Sequence, residues 1–574
     1  MSSPSPRHRA RPQCPPQHIF HRVYDDMEPH DHPPPPLQPP SASLIHILPV
    51  ELLTRIFCLG YEHVVDPDRP FKRRPREHGT NFEVLVSHVC HHWRTIALQT
   101  PSLWTSIRMR KPVHLERSQQ FILRSRSRPL DIFIDTVSLP DHVPGHTLSR
   151  TEFHPAFDVV DPHSARWRSL ILKVSDLVCK AGARDRLHAT GPVPNLESVQ
   201  LWHLEKWDSL QNLAAQTARA PVPVLCSDAT AIKDLSLVGV NLAWALHATP
   251  YLAGLRSLEL KLHAEPTRPT CDQWEAILRA SPDLERLALH YSGPREDVQW
   301  STDPIPLPRL AELSIHDLDP DMLCLIMRNM AVPALRALEL ELTQQDDTDF
   351  SAFMGALVDD GVPHVPELRH LRVAALDCST QSWHTFLKSV PKLTHLEIDF
   401  RRMQDELFHT LSLTDAHACN GNPSALSIHS EPPAEADSAP APESQDPGKE
   451  TQSRADYVLL PALETLKIAG LSGDYIRDFL EFRAVNGRPI AHVLLHRYAR
   501  DEDTDALREN QNSHVDYFLY SDEDDDGEDD DALTEFDEEG EDPYGEEEAG
   551  EDGEEEEEEE EAAAVQAPPA SSTP

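Results

Sequence analysis

Apolar residues recur in one six-residue frame, Leu-x-x-Leu-x-Leu, from about residue 167 to residue 495. The clearest copies are Leu255-Leu258-Leu260, Leu284-Leu287-Leu289, Leu310-Leu313-Ile315, Leu335-Leu338-Leu340, Leu368-Leu371-Val373, Leu393-Leu396-Ile398 and Leu463-Leu466-Ile468. Looser copies start at Trp167, Leu196, Ile232 and Ile490. The second half of each frame alternates apolar with polar, the signature of a short strand with one buried face. Between frames the spacing turns helical, as at Trp274, Ile277 and Leu278, or at Phe386 and Leu387. A proline commonly precedes the frame, as in 365–371, 390–396 and 460–466. It is expected to end one helix and turn the chain into the next strand.

Successive clear frames begin 29, 26, 25, 33 and 25 residues apart, from Leu255 to Leu393. Period and pattern together resemble leucine-rich repeats. One strand and one helix cannot close a core alone, whereas stacked copies can. The resemblance implies an α/β solenoid of parallel strands and helices over residues 111–500. The step from Leu393 to Leu463 is 70 residues. Residues 415–455, poor in aromatics and rich in Pro, Ser, Glu and Ala, read there as a disordered insertion. The strand-like run 129–137 is expected to open the sheet.

A different pattern lies upstream. Residues 44–62 read as a short helix that starts near Pro49, with an apolar stripe of Leu52, Leu53, Ile56, Phe57 and Leu59. In residues 84–107, Val86, Val89, Cys90, Trp93 and Ile96 fall on one helical face, and Leu103 and Trp104 follow the helix-breaking Pro101. Taken together, Leu48, Pro49, Glu51, Leu52, Leu53, Ile56 and Phe57, then Ser87, Val89, Cys90, Trp93, Arg94, Ile96, Ala97, Pro101, Leu103 and Trp104, resemble the F-box in its fungal form. That places a small all-α domain at 43–110, with a loop insertion at 61–82. F-box domains dock on the Skp-type adaptor of cullin–RING (SCF) ubiquitin ligases. The resemblance therefore assigns Leu48, Pro49, Leu52, Ile56, Phe57, Val89, Cys90, Trp93, Leu103 and Trp104 to adaptor binding. The residues themselves agree, since so small a domain cannot bury all of Leu48, Ile56, Phe57, Leu103 and Trp104 within itself.

Residues that alternate with the buried leucines point to the other sheet face. In a solenoid that face is concave and suits a protein ligand. Trp202, Arg286, His290, His316, His370, Arg372 and His395 are its candidate target-binding residues, and the target itself is not legible.

Charge changes the picture only at the end of the chain. The net charge is −44, but residues 521–561 alone carry 28 acids and no Lys or Arg, leaving −16 elsewhere. Residues 501–574 read as an acidic disordered tail, and the Pro-rich residues 1–42 likewise read as disordered. No broad basic face is apparent, so no nucleic-acid partner is expected. There is no apolar run of transmembrane length, no signal-peptide core and no CxxC pair, which fits a protein of the cytoplasm or nucleus without a membrane partner. The cluster Lys72, Arg73, Arg74 and Arg76 reads as a solvated loop, with nuclear import as its sharper alternative. His88, Cys90, His91 and His92 lack a second ligand pair at usable spacing, so no metal or cofactor is expected. None of the nucleophile-elbow, phosphate-loop, zinc-protease or dinucleotide motifs occurs, so the chain reads as a non-enzyme. The expected function is that of an SCF substrate-recognition subunit. The alternative is a nuclear scaffold or histone-chaperone-like protein that acts through the acidic tail.

Overall fold

In a computed structural model the described residues are 45, 48–62, 82–203, 220–225, 229–295, 303–343, 348–359, 362–412, 458–497, 504–505, 507 and 513–519. The expected Pro-rich N-terminus, most of the 61–82 insertion with its basic cluster, the core of the 415–455 insertion and the acidic run lie outside them. Three short helices come first: α1 (Val50–Glu62), α2 (Phe82–His88) and α3 (His91–Gln99). Beyond them the chain is α/β, built on one fully parallel sheet.

The sheet strands are β1 (Ser106–Met109), β2 (Leu130–Thr136), β3 (Trp167–Val174), β4 (Ser198–His203), β5 (Asp234–Val238), β6 (Ser257–Lys261) and β7 (Arg286–His290). They continue as β8 (Glu312–His316), β9 (Ala337–Glu341), β10 (His370–Ala374), β11 (His395–Asp399), β12 (Thr465–Ala469), β13 (His492–His496) and β14 (His514–Phe518). Among the described residues the order in space is the order in the chain, with each strand beside its predecessor. Apart from one shift between Leu130 and Asp131 where β2 pairs β3, register is kept: Leu258 faces Leu287, Leu287 faces Leu313, Leu313 faces Leu338, and Leu338 faces Leu371. The fourth and sixth positions of the frame, second and fourth in each five-residue strand, thus form two continuous buried rows, and a buried leucine contributes about 1.5–3 kcal/mol.

Helices cover the inner-row side. They include α4 (Val113–Ser125), α5 (Arg150–Val160), α6 (Leu177–Ala189), α7 (Cys271–Arg279), α8 (Pro320–Arg328) and α9 (Ser351–Ala356). The series ends with α10 (Thr380–Ser389), α11 (Glu406–His409) and α12 (Gly473–Val485). Trp274, Ile277 and Leu278 of α7 and Trp383, Phe386 and Leu387 of α10 are fully buried, as their spacing predicts. No helix among the described residues is long and apolar enough to cross a membrane.

Two local devices repeat. The frame-preceding proline sits second in a turn whose first carbonyl accepts the N–H of the frame's first leucine. Examples are Leu284 to Ser281, Leu310 to Leu307, Leu368 to Val365 and Leu393 to Val390, at 3.1–3.2 Å. The proline therefore builds a turn of its own and does more than stop a helix. At the other end, the residue after the strand takes positive φ at Gly239, Leu262, Tyr291, Asp317, Ala375 and Gly470. Where this residue is Leu262, Tyr291 or Asp317, its N–H donates to the next strand at 2.9 Å, which holds the left-handed step in place.

Across the 70-residue step β11 and β12 pair directly, in line with an insertion that leaves the ladder between two copies. The structure departs from the sequence expectation at three points. First, the sheet opens at Ser106, inside the segment read as helical domain, and closes at Phe518, past the expected end at 500. Second, residues 84–97 do not form one helix. The chain breaks between α2 and α3 at Cys90, whose Sγ caps α3 by accepting from the Trp93 N–H at 3.5 Å. Third, Leu103 and Trp104 are enclosed by their own chain. Trp104 Nε1 donates to Ala97 O at 2.8 Å, and its ring meets Phe121 edge-on at 4.9 Å.

Two predictions follow from this packing. A Cβ at Gly470 (φ +83°) would lie 2.5 Å from the Arg401 nitrogen, so Gly470→Ala should cost about 2 kcal/mol or more in chemical denaturation. Gly355, inside α9 with open space around its Cα, is the control: Gly355→Ala should stabilise by about 0.5–1 kcal/mol. Second, burial, reinforced by Arg268, pushes the His263 imidazole down to about 3. Burial, with Lys180 beside it, does the same for His203. The unfolded chain takes up these protons near pH 6.5 and the folded chain does not, so stability should fall as pH drops from about 6.5 toward 3. Melting temperatures measured across that window should decline, and His263→Asn should make the decline shallower.

Candidate functional site

The amphipathic pattern of α1 carries two stripes. Leu53 and Phe57 turn inward, and the Phe57 ring packs on Trp93 at 4.9 Å. Leu52, Ile56 and Leu59, spaced i, i+4, i+7, form a second apolar stripe that faces outward, with Leu52 52% and Ile56 44% exposed. Val50 of α1, Leu85 of α2 and Val89 add exposed apolar surface, Val89 at 59%. Single exposed leucines are ordinary, but this many on α1, α2 and the turn after α2 make a candidate docking surface.

The expected adaptor residues divide accordingly. Leu52, Ile56 and Val89 are exposed, as is Pro49, while Leu48, Cys90 and Trp93 are half-buried. Phe57, Leu103 and Trp104 are buried and belong to the core that joins the helices to β1. Their assignment to docking is therefore corrected. The reason is that Trp104 leads straight into a strand, so the sheet supplies the apolar cover that a lone helical domain would lack. Leu59 and Leu85, absent from the expected set, complete the outward surface. The i, i+4, i+7 spacing of Leu59 was the available signal.

The second surface is the outward face of the sheet. Alternation gives each strand three outward positions, and parallel register aligns them in rows. Trp202, Arg286, His290, His316, His370, Arg372 and His395 all lie on these rows, half-buried. They do not form one site. Trp202 of β4 stands apart, with the Lys173 ammonium 4.2 Å from its ring centre. Arg286 reaches back to Asp234 at 3.1 Å. His370 and His395 stack at 4.3 Å, and burial lowers both imidazoles, with the His395 charge adding to the effect on His370.

His290 Nε2 lies 3.3 Å from Asp317, whereas His316 and Arg372 converge on β9. At its middle sits Glu339, a carboxylate only 4% exposed, which sequence reading places on the face but not in the site. Arg372 Nη1 donates to Glu339 Oε1, and Ser314 Oγ donates to Oε2 at 2.6 Å. Arg372 also lies 3.5 Å from both Glu341 and Glu397, and Lys467 closes on Glu397 at 2.7 Å. Burial pushes the Glu339 carboxyl up, but His316, Arg372 and Ser314 outweigh it and hold the group down at about 2. The sequence could not show this convergence, because the partners come from β8, β9, β10, β11 and β12.

Compared with models of known protein families and with curated proteins, the chain matches none.

Removing one partner from a buried pair leaves the other charge uncompensated. Glu339→Gln should therefore cost about 2–4 kcal/mol near pH 7, read by urea denaturation. Because the folded carboxyl titrates near 2 and the unfolded one near 4.3, the Glu339 contribution is complete above about pH 4.3 and disappears as pH falls toward 2. Wild type and variant should converge in stability over that interval.

Proposed function

We propose that the chain is a substrate-recognition subunit of an SCF-type ubiquitin ligase, an F-box-like helical segment followed by a leucine-rich-repeat-like solenoid. The observation that carries this reading is the doubled stripe of α1. Leu53 and Phe57 fix the helix to the body of the protein, which leaves Leu52, Ile56 and Leu59 as an apolar row about half exposed among the described residues. That row lies in the segment whose sequence resembles the F-box. A Skp-type adaptor is the partner the resemblance supplies, and a shared apolar core is the chemistry the row offers.

The sheet face then holds the target protein. Its half-buried side chains stand on fixed strands, so little order is lost on binding. This subunit does no bond chemistry itself. It raises the local concentration of the target next to the ubiquitin carrier recruited by the adaptor and cullin.

Co-purification from cells with and without the double change Leu52→Glu and Ile56→Glu tests the proposal. Loss of two buried aliphatic anchors corresponds to a fall in adaptor affinity of roughly 100-fold or more, with thermal stability unchanged because both side chains are exposed. Trp104→Glu differs: it should reduce adaptor recovery only together with folding. Absence of the adaptor from the wild-type eluate would refute the reading. Salt-sensitive retention of basic proteins that depends on residues 521–561 would favour the scaffold alternative.

A further inference from the structure

On the sheet face, two acceptors point at one another across a gap. Ser314 Oγ has a single proton, which it gives to Glu339 Oε2 at 2.6 Å. The 2.9 Å contact between Ser314 Oγ and His316 Nε2 must then be donated by the imidazole. In the neutral ring this leaves the lone pair on Nδ1, which faces Glu341 Oε2 at 3.8 Å. That spacing is too long for a hydrogen bond and places a lone pair against a carboxylate. A cation between them turns repulsion into attraction.

The surroundings favour one. Glu339, Glu341 and Glu397 supply three carboxylates around this point, and the Arg372 guanidinium is shared among all three, with Lys467 closing on Glu397 alone. The carboxylates therefore outnumber these two cations on a face where water is partly excluded. One donor atom each from His316, Glu339 and Glu341 lies within 4.8 Å of the others. Arg372 is the competitor already present, but its close contact is with Glu339 Oε1, and it stands 3.5 Å from Glu341.

We propose that His316, Glu339 and Glu341 form a binding site for a divalent transition-metal ion, with Zn²⁺ the best match to one imidazole and two carboxylates. Ser314 is a positioning residue: its hydroxyl fixes the ring so that the other nitrogen is offered to the metal, the usual arrangement behind a metal-bound histidine. β8 and β9 pair in register at Ser314–Glu339 and His316–Glu341, so the three ligands are set by the sheet before the metal arrives. The site stands whether or not the sheet face holds a target protein.

Equilibrium dialysis of the full chain against Zn²⁺, at neutral pH and with a competing chelator, tests the site. With 32 histidines in the chain, the readout is the equivalent that separates wild type from variants. His316→Ala and Glu341→Gln should each remove one tight equivalent, while Ser314→Ala should weaken it by roughly 10-fold. Arg372→Gln should tighten it by a similar factor, since the competing guanidinium is gone. An identical tight-binding count in wild type, His316→Ala and Glu341→Gln, each folded by circular dichroism, would overturn the proposal. So would no tight equivalent in the wild type. Weaker binding in Arg372→Gln would overturn the assigned competition.

Discussion

The structure depends on register. Each strand has only about five residues, too few to be stable alone, and each gains its place from the two buried rows that run through the whole sheet. The carbonyl just before the strand accepts two N–H groups from the following copy, as Arg256 does from Glu285 and Arg286, and Arg369 from Thr394 and His395. A slip of one residue would break these bonds and turn every leucine to the solvent face. The stack therefore tolerates variation in the connections, including a 70-residue step, but not in the frame.

A stack has two ends, and both are treated differently from its middle. At the first, Trp104 closes the strand row, joined by Phe121 of α4 and by the Ala97 carbonyl of α3. The three leading helices thus share a core with the sheet. Because they bury their inner stripe there, α1 is free to present its outer stripe elsewhere. At the last strand, the Lys467 ammonium lies 4.1 Å from the Phe518 ring centre, packing polar and aromatic groups where the leucine rows end.

The same register produces the charged cluster. Strands about 4.8 Å apart bring outward residues of neighbouring copies within reach of one another. Glu339, Arg372, Glu397 and Lys467 then alternate in sign across four successive strands at one level. Arg372 and Glu397 each lie between opposite neighbours, and Glu339, at the end of the row beside Ser314, stays ionised through Arg372 and the Ser314 hydroxyl. Such a network is rigid, and rigidity suits a surface that must hold a ligand or an ion without first being ordered.

The sequence by itself determined the strand positions, the helical stretches between them and the apolar stripe of α1, because these follow from spacing along the chain alone. It also separated the inward leucines from the outward residues, since alternation needs no knowledge of neighbours. Its limits were physical. The β1 and β14 strands lie where the leucine frame fades, so only pairing with a finished neighbour reveals them. Leu103 and Trp104 read as exposed plugs until the sheet arrives to cover them. The meeting of His316, Glu339, Glu341 and Arg372 was decided only by the tertiary structure, because side chains about 25–33 residues apart become neighbours when consecutive copies stack in register.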